Sequence, residues 1–123
     1  MKKRIALLAA LAVVLGSVFA GIGAAATGST KATKTITVTA TDFHFKISPT
    51  TGLKHGVAYT IKFTNKGAAL HNFDIQGVKA TKIIPGGKTV TMKVTFKKAG
   101  KYQYVCDVPR HIELGMAGTL KVK

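Results

Sequence analysis

A chain of 123 residues with 19 lysines and arginines against four acidic residues carries a formal charge of +15. Its single cysteine excludes an intramolecular disulfide framework. The basic residues are spread along the chain, which argues against nucleic acid as the partner and leaves an acidic protein face, an anionic lipid surface or plain solvation as the meaning of the charge.

Met1-Lys2-Lys3-Arg4 is basic, residues 5–20 are almost wholly apolar, and residues 21–26 are small apart from Ile22. These are the three parts of a secretory signal peptide, with cleavage expected after Ala26. The alternative is a retained anchor, because the apolar run approaches the roughly 20 residues that span a bilayer. Either reading exports the rest of the chain, to the periplasm or beyond. Residues 27–123 hold 16 basic and four acidic residues, a net +12. That length supports one domain with one core.

Residues 27–34 are small, polar and basic, and read as a flexible leader to a domain over 35–123. From Thr35 onward the pattern has period 2. Ile36, Val38 and Ala40 alternate with threonines; Phe43, Phe45 and Ile47 alternate in the opposite phase, which predicts a bulge or bend near Thr41-Asp42. Val57, Tyr59, Ile61 and Phe63 form the next apolar face, followed by a turn at Asn65-Lys66-Gly67. His71, Phe73 and Ile75 share a face in a short strand. Residues 77–84 are irregular, with room for a short helical turn. Val90, Met92, Val94 and Phe96 make another inner face, Tyr102, Tyr104 and Cys106 the next, and Met116, Gly118, Leu120 and Val122 the last. Six or seven short strands with Gly/Pro turns predict an antiparallel sandwich or barrel.

The closing segment YVCDVPRHIELGMAG, residues 104–118, gathers a thiol (Cys106), an imidazole (His111) and a thioether (Met116), with His71 as a fourth candidate upstream. Two imidazoles, a thiolate and a weak axial thioether are the ligand types of blue-copper electron-transfer sites. Each residue also has a plainer reading: Cys106 as a buried thiol, His71 as a core histidine, Met116 as core filling. Met92 is read as core, His44 as exposed and His55 as part of a turn.

Taken together, GKYQYVCDVPRHIELGMAGTLKVK (100–123) resembles the C-terminal half of a cupredoxin, in the plastocyanin and azurin superfamily. LHNFDI (70–75) is similar to the family's first-histidine motif, and TDFHFKISP (41–49) to an early Asp-Phe-x-Phe strand. The resemblance spans residues 35–123 and implies an all-β Greek-key β-sandwich holding one type 1 copper. It makes His71, Cys106 and His111 the equatorial ligands, Met116 the axial one, and Asn72 the residue that ties the two ligand loops together. It also implies that the His111 ring reaches the surface through an apolar patch, for which Leu70, Pro109, Ile112 and Leu114 are candidates. The Cys106–His111 loop is longer than in plastocyanin and closer to azurin-like and auracyanin-like members.

The expected function is one-electron transfer by a monomeric carrier, not an enzyme. A cysteine nucleophile would need a base and an oxyanion site that the segment does not clearly offer, and a dinuclear copper site would need a second cysteine. The alternatives are a copper carrier or buffer, and a structural sandwich that has lost its metal. The expected partners are redox proteins with an acidic docking face, with Arg110, Lys54, Lys66 and Lys79 as candidate flanking charges and peripheral attraction to anionic membrane as a second use of the charge.

Overall fold

Strict alternation sets the layers. In β1 (Lys34–Thr41), Ile36, Val38 and Ala40 are fully buried while the residues between them face outward. Tyr59, Ile61 and Phe63 of β3 (Ala58–Asn65) and Met92 and Val94 of β6 (Thr89–Thr95) bury the same side of the same sheet. The structure is a computed structural model that describes residues 33–123. The expected signal peptide and residues 27–32 of the expected leader lie outside the described residues, and β1 takes up Lys34.

Two four-stranded sheets face each other. One has the order β2-β1-β3-β6, with β2 at His44–Ser48; the other has the order β5-β4-β7-β8, built from Asp74–Ile75 (β4), Lys79–Ala80 (β5), Gly100–Val105 (β7) and Ala117–Val122 (β8). Between them lies one apolar cluster, in which Phe63 and Phe73 stack at 6.3 Å and Phe45 meets Phe73 edge-on at 5.3 Å. Among the described residues there is no α-helix, and no helix long and apolar enough to cross a membrane.

Three details sharpen or correct the pattern reading. Of the bulge or bend expected near Thr41-Asp42, the structure has the bend, as the turn of a hairpin: Thr41 pairs with His44, so only Asp42 and Phe43 form the turn. Local alternation is reversed equally by an inserted residue and by a tight reversal of the chain, so it cannot separate the two. Residues 77–84 hold the short strand β5, paired with β4, where a helical turn had room. One pairing also departs from the antiparallel expectation. β2 returns along the outer edge of β1, and the chain then re-enters on β1's other side, so β3 runs parallel to β1.

The directions of the strands place four connections at one end of the sandwich: 42–43, 66–73, 81–88 and 106–116. His71, Cys106, His111 and Met116 all lie in these connections. The opposite end carries residues 49–57, 76–78 and 96–99. Phe63 is fully buried between the sheets. Phe63→Ala is expected to cost about 3–5 kcal/mol in urea denaturation through lost burial and the cavity left behind, whereas Lys46→Ala, on an exposed position of β2, is expected to stay within about 0.5 kcal/mol.

Candidate metal centre

The upstream loop is fixed before its side chain is considered. Buried Asn65 donates through Nδ2 to the carbonyls of Ala69 (2.8 Å) and Ile84 (2.9 Å) and accepts from the Gly67 N–H (2.8 Å). His71 then exchanges backbone hydrogen bonds with Ile84, at 3.2 and 2.9 Å. The downstream loop closes on itself. The Cys106 N–H donates to the Met116 carbonyl (3.1 Å), and the Met116 N–H donates to the His111 carbonyl (3.0 Å). Arg110 takes a left-handed φ of 71° to make the turn, a conformation that costs a non-glycine residue about 1–3 kcal/mol and persists where the surroundings enforce it.

These two loops bring three donor atoms together. His71 Nδ1 and His111 Nδ1 are 3.1 Å apart, and Cys106 Sγ lies 3.5 Å from His111 Nδ1 and 3.9 Å from His71 Nδ1. All three residues are buried. Met116 is fully buried in the cluster that also holds Cys106. His44 and His55 do not join them: His44 is exposed, and His55 sits at the opposite end with Nδ1 at 2.8 Å from the Lys123 carbonyl. A buried set of one soft sulfur and two imidazole nitrogens, with no carboxylate inside it, suits copper or zinc and not a hard, oxygen-seeking cation.

Sequence reasoning missed two residues here. Asp42, in the hairpin turn, accepts the His71 Nε2–H at 2.7 Å through Oδ1. It also accepts backbone N–H groups from Ala68 (3.0 Å) and Ala69 (3.1 Å). Those bonds, the His71 contact first, hold its carboxyl below the usual carboxylate range. Phe43, expected on the core face with Phe45 and Ile47, stands in the turn and lies edge-on to the rings of His111 (5.1 Å) and His71 (6.3 Å). The phase reversal near Thr41-Asp42 and the resemblance of residues 41–49 to a family strand were the signals at these positions, and neither carried a role for either side chain.

Asn72 joins the two loops directly. Its Oδ1 accepts the Asp107 N–H and its Nδ2 donates to Asp107 Oδ2, both at 2.7 Å. Burial, then the neighbouring His71, push the His111 imidazole below the usual histidine range, against a smaller opposing pull from Asp42, so the ring favours its neutral, metal-binding form.

The surface over the site is apolar. Leu70, Ile112 and Leu114 are 52 %, 48 % and 54 % exposed, and Phe43 is 36 % exposed beside the ring of His111, itself 7 % exposed. Charge is segregated along the strand axis. All four acidic residues (Asp42, Asp74, Asp107 and Glu113) lie at this end, beside four basic ones, Lys66, Lys82, Lys88 and Arg110. Lys34, Lys54, Lys97, Lys98, Lys101, Lys121 and Lys123 lie at or near the opposite end, where there is no acid. Lys54 therefore does not flank the site: its neighbour Leu53 bridges Val122 at the far end of β8. Nor does Lys79, which lies on β5 and donates to the Lys93 carbonyl at 3.2 Å.

Asn72→Ala is expected to destabilise the metal-free domain by about 1–3 kcal/mol, because it strips the Asp107 N–H of its acceptor. Thermal or urea unfolding measures this.

The sequence model of the cupredoxin-like domain family matches residues 6–120. No curated protein matches the chain significantly in sequence. Among solved structures, the chain is similar to dithionite-reduced auracyanin from Roseiflexus castenholzii, with 20 % identity, a TM-score of 0.65, and coverage of 74 % of this chain and 98 % of that one. It is also similar to auracyanin A, a blue copper protein of Chloroflexus aurantiacus (24 %, TM-score 0.58, 72 % and 99 %). A third likeness is to an azurin of Methylomonas sp. strain J (23 %, TM-score 0.56, 75 % and 99 %). The chain belongs to the cupredoxin-like domain family, and its cluster of His71, Cys106 and His111 fits a single type 1 copper site.

Proposed function

We propose that the domain is an exported, monomeric one-electron carrier in which His71 Nδ1, His111 Nδ1 and Cys106 Sγ hold one copper ion and the Met116 thioether is its weak axial ligand. The observation that carries this reading is the convergence of two ring nitrogens and a thiol within 4.8 Å in a buried pocket beneath an exposed apolar rim. Bound copper would supply a one-electron couple between Cu(II) and Cu(I).

The chain's own residues do the rest. The Asn65 and Asn72 hydrogen bonds set the two loops before metal arrives, so the donors need little movement on binding or on a change of charge. Burial keeps water from the thiolate. His111 is the least buried of the three donor residues, and its ring, with Phe43 against it, offers the shortest way out. Leu70, Ile112 and Leu114 then form a small contact that a redox partner can meet and leave quickly. The net positive charge supports attraction to an acidic protein partner, or to anionic membrane beside one.

The runner-up is a copper carrier or buffer. It would use the same donors, but it would hand copper to acceptors and would not need to cycle between oxidation states.

Copper(II) added to the metal-free protein is expected to give an intense blue or green colour from thiolate-to-metal charge transfer. His71→Ala and Cys106→Ser should abolish it, His44→Ala and His55→Ala should leave it, and Met116→Gln should keep copper while lowering the reduction potential. A protein that stays colourless under visible spectroscopy after copper loading sinks the electron-carrier reading.

Electron transfer to an acidic test partner, followed by stopped flow, should slow steeply as salt rises and the screening length falls from about 10 Å at 0.1 M toward 3 Å at 1 M. Arg110→Glu, at the rim beside His111, should slow it further at low salt. Equal salt-independence with acidic and basic partners would remove charge from the docking account.

A further inference from the structure

Outside the donor set, one ionisable side chain is engaged wholly with the ligand loop. Among the described residues Asp42 makes no salt bridge with a lysine or arginine. Its carboxylate instead reaches from the β1–β2 turn into the 66–71 loop and accepts three hydrogen bonds: from Ala68 N, Ala69 N and His71 Nε2. The backbone is shaped to admit it. At Gly67 a Cβ would overlap Asp42 Oδ1 and crowd His71 Nε2, so only glycine leaves room for this contact.

An ionised carboxylate only accepts hydrogen bonds, so the proton of a neutral His71 sits on Nε2 and the lone pair on Nδ1. That lone pair faces His111 and Cys106. A negative charge on the far side of the ring raises the basicity of Nδ1 and favours the more highly charged metal ion.

We propose that Asp42 is a positioning residue for the metal centre: through His71 Nε2 it fixes the ligand tautomer and biases the site toward Cu(II) over Cu(I). This rests on the copper reading above and adds a charged partner behind the upstream ligand, supplied by the β1–β2 hairpin turn. Phe43, the next residue, covers the same two rings. One two-residue turn thus carries both the charge behind the ligand and the apolar cover over it.

The test uses the full chain and three readouts. In metal-free wild-type protein, long-range 15N NMR should find His71 protonated at Nε2 and bare at Nδ1; a proton on Nδ1 overturns the proposal without any variant. Asp42→Asn keeps the shape and removes the charge. It should still take up copper and colour, but lose about tenfold of the preference for Cu(II), a rise in reduction potential of about 59 mV for a one-electron couple. Asp42→Ala should lower Cu(II) affinity by about 10–100-fold and let His71 populate both tautomers. Asp42 is merely a loop staple if both variants bind copper with wild-type potential and His71 keeps its tautomer, and that overturns the proposal. Should Asp42→Ala fail to fold, the wild-type tautomer and the Asp42→Asn potential still decide. Failure of the wild-type protein to colour with copper would instead strike the copper reading itself, so the two failures are distinguishable.

Discussion

Two ring nitrogens 3.1 Å apart can share only one proton. With His71 donating through Nε2 to Asp42, its Nδ1 is bare, and without metal the shared proton belongs to His111. A second proton between these two nitrogens would place two N–H groups head to head. Burial adds to this by disfavouring charge on His111. The end of the sandwich is therefore built around a pair of imidazoles held close together, and the hydrogen bonds of Asn65, Asn72, Ile84 and Met116 are the means.

The close approach runs deeper than the donors. A Cβ at Gly86 would strike the Gly67 carbonyl, and one at Gly67 would strike Asp42. The 81–88 loop thus packs on the 66–73 loop, which packs on the hairpin turn, which touches His71. A change at Gly86, with no atom near the metal, would be felt at the ligand through two backbone contacts. Loops 66–73, 81–88 and 106–116 work as one unit with the 42–43 turn, stabilised on a core that contains Cys106 and Met116 as ordinary buried members.

Much of this was legible in the chain, and the gaps have physical causes. Alternation of Ile36, Val38 and Ala40, or of Tyr59, Ile61 and Phe63, reports a half-buried strand directly, because side chains alternate faces. Cys106 and His111 sit in one loop, so short-range spacing brings them forward together; Met116, in the same loop, is found in the buried cluster with Cys106. His71 came from its local motif and not from any contact visible in one dimension. The Asp42–His71 bond spans 29 positions and joins a hairpin turn to a loop, and no local pattern encodes such a meeting. Phe43 was misplaced for a related reason: it continues the alternation of Phe45 and Ile47 on paper, yet the reversal of the chain takes it out of the strand. The parallel pairing of β1 with β3 depends on which side of β1 the chain returns to, a choice made by the whole sandwich.

The segregation of charge along the strands gives the molecule an electric dipole as well as a net charge. Seven unopposed lysines at one end and a four-against-four balance at the other set the positive pole far from the metal. Near an extended anionic surface such a body would feel a torque as well as an attraction, one that turns its lysine-rich end inward. In that orientation the apolar rim, with Phe43 and His111, points away from the surface and stays open to a diffusing protein. Charge would then act as a handle that sets how the carrier is presented, while the apolar rim decides what it touches.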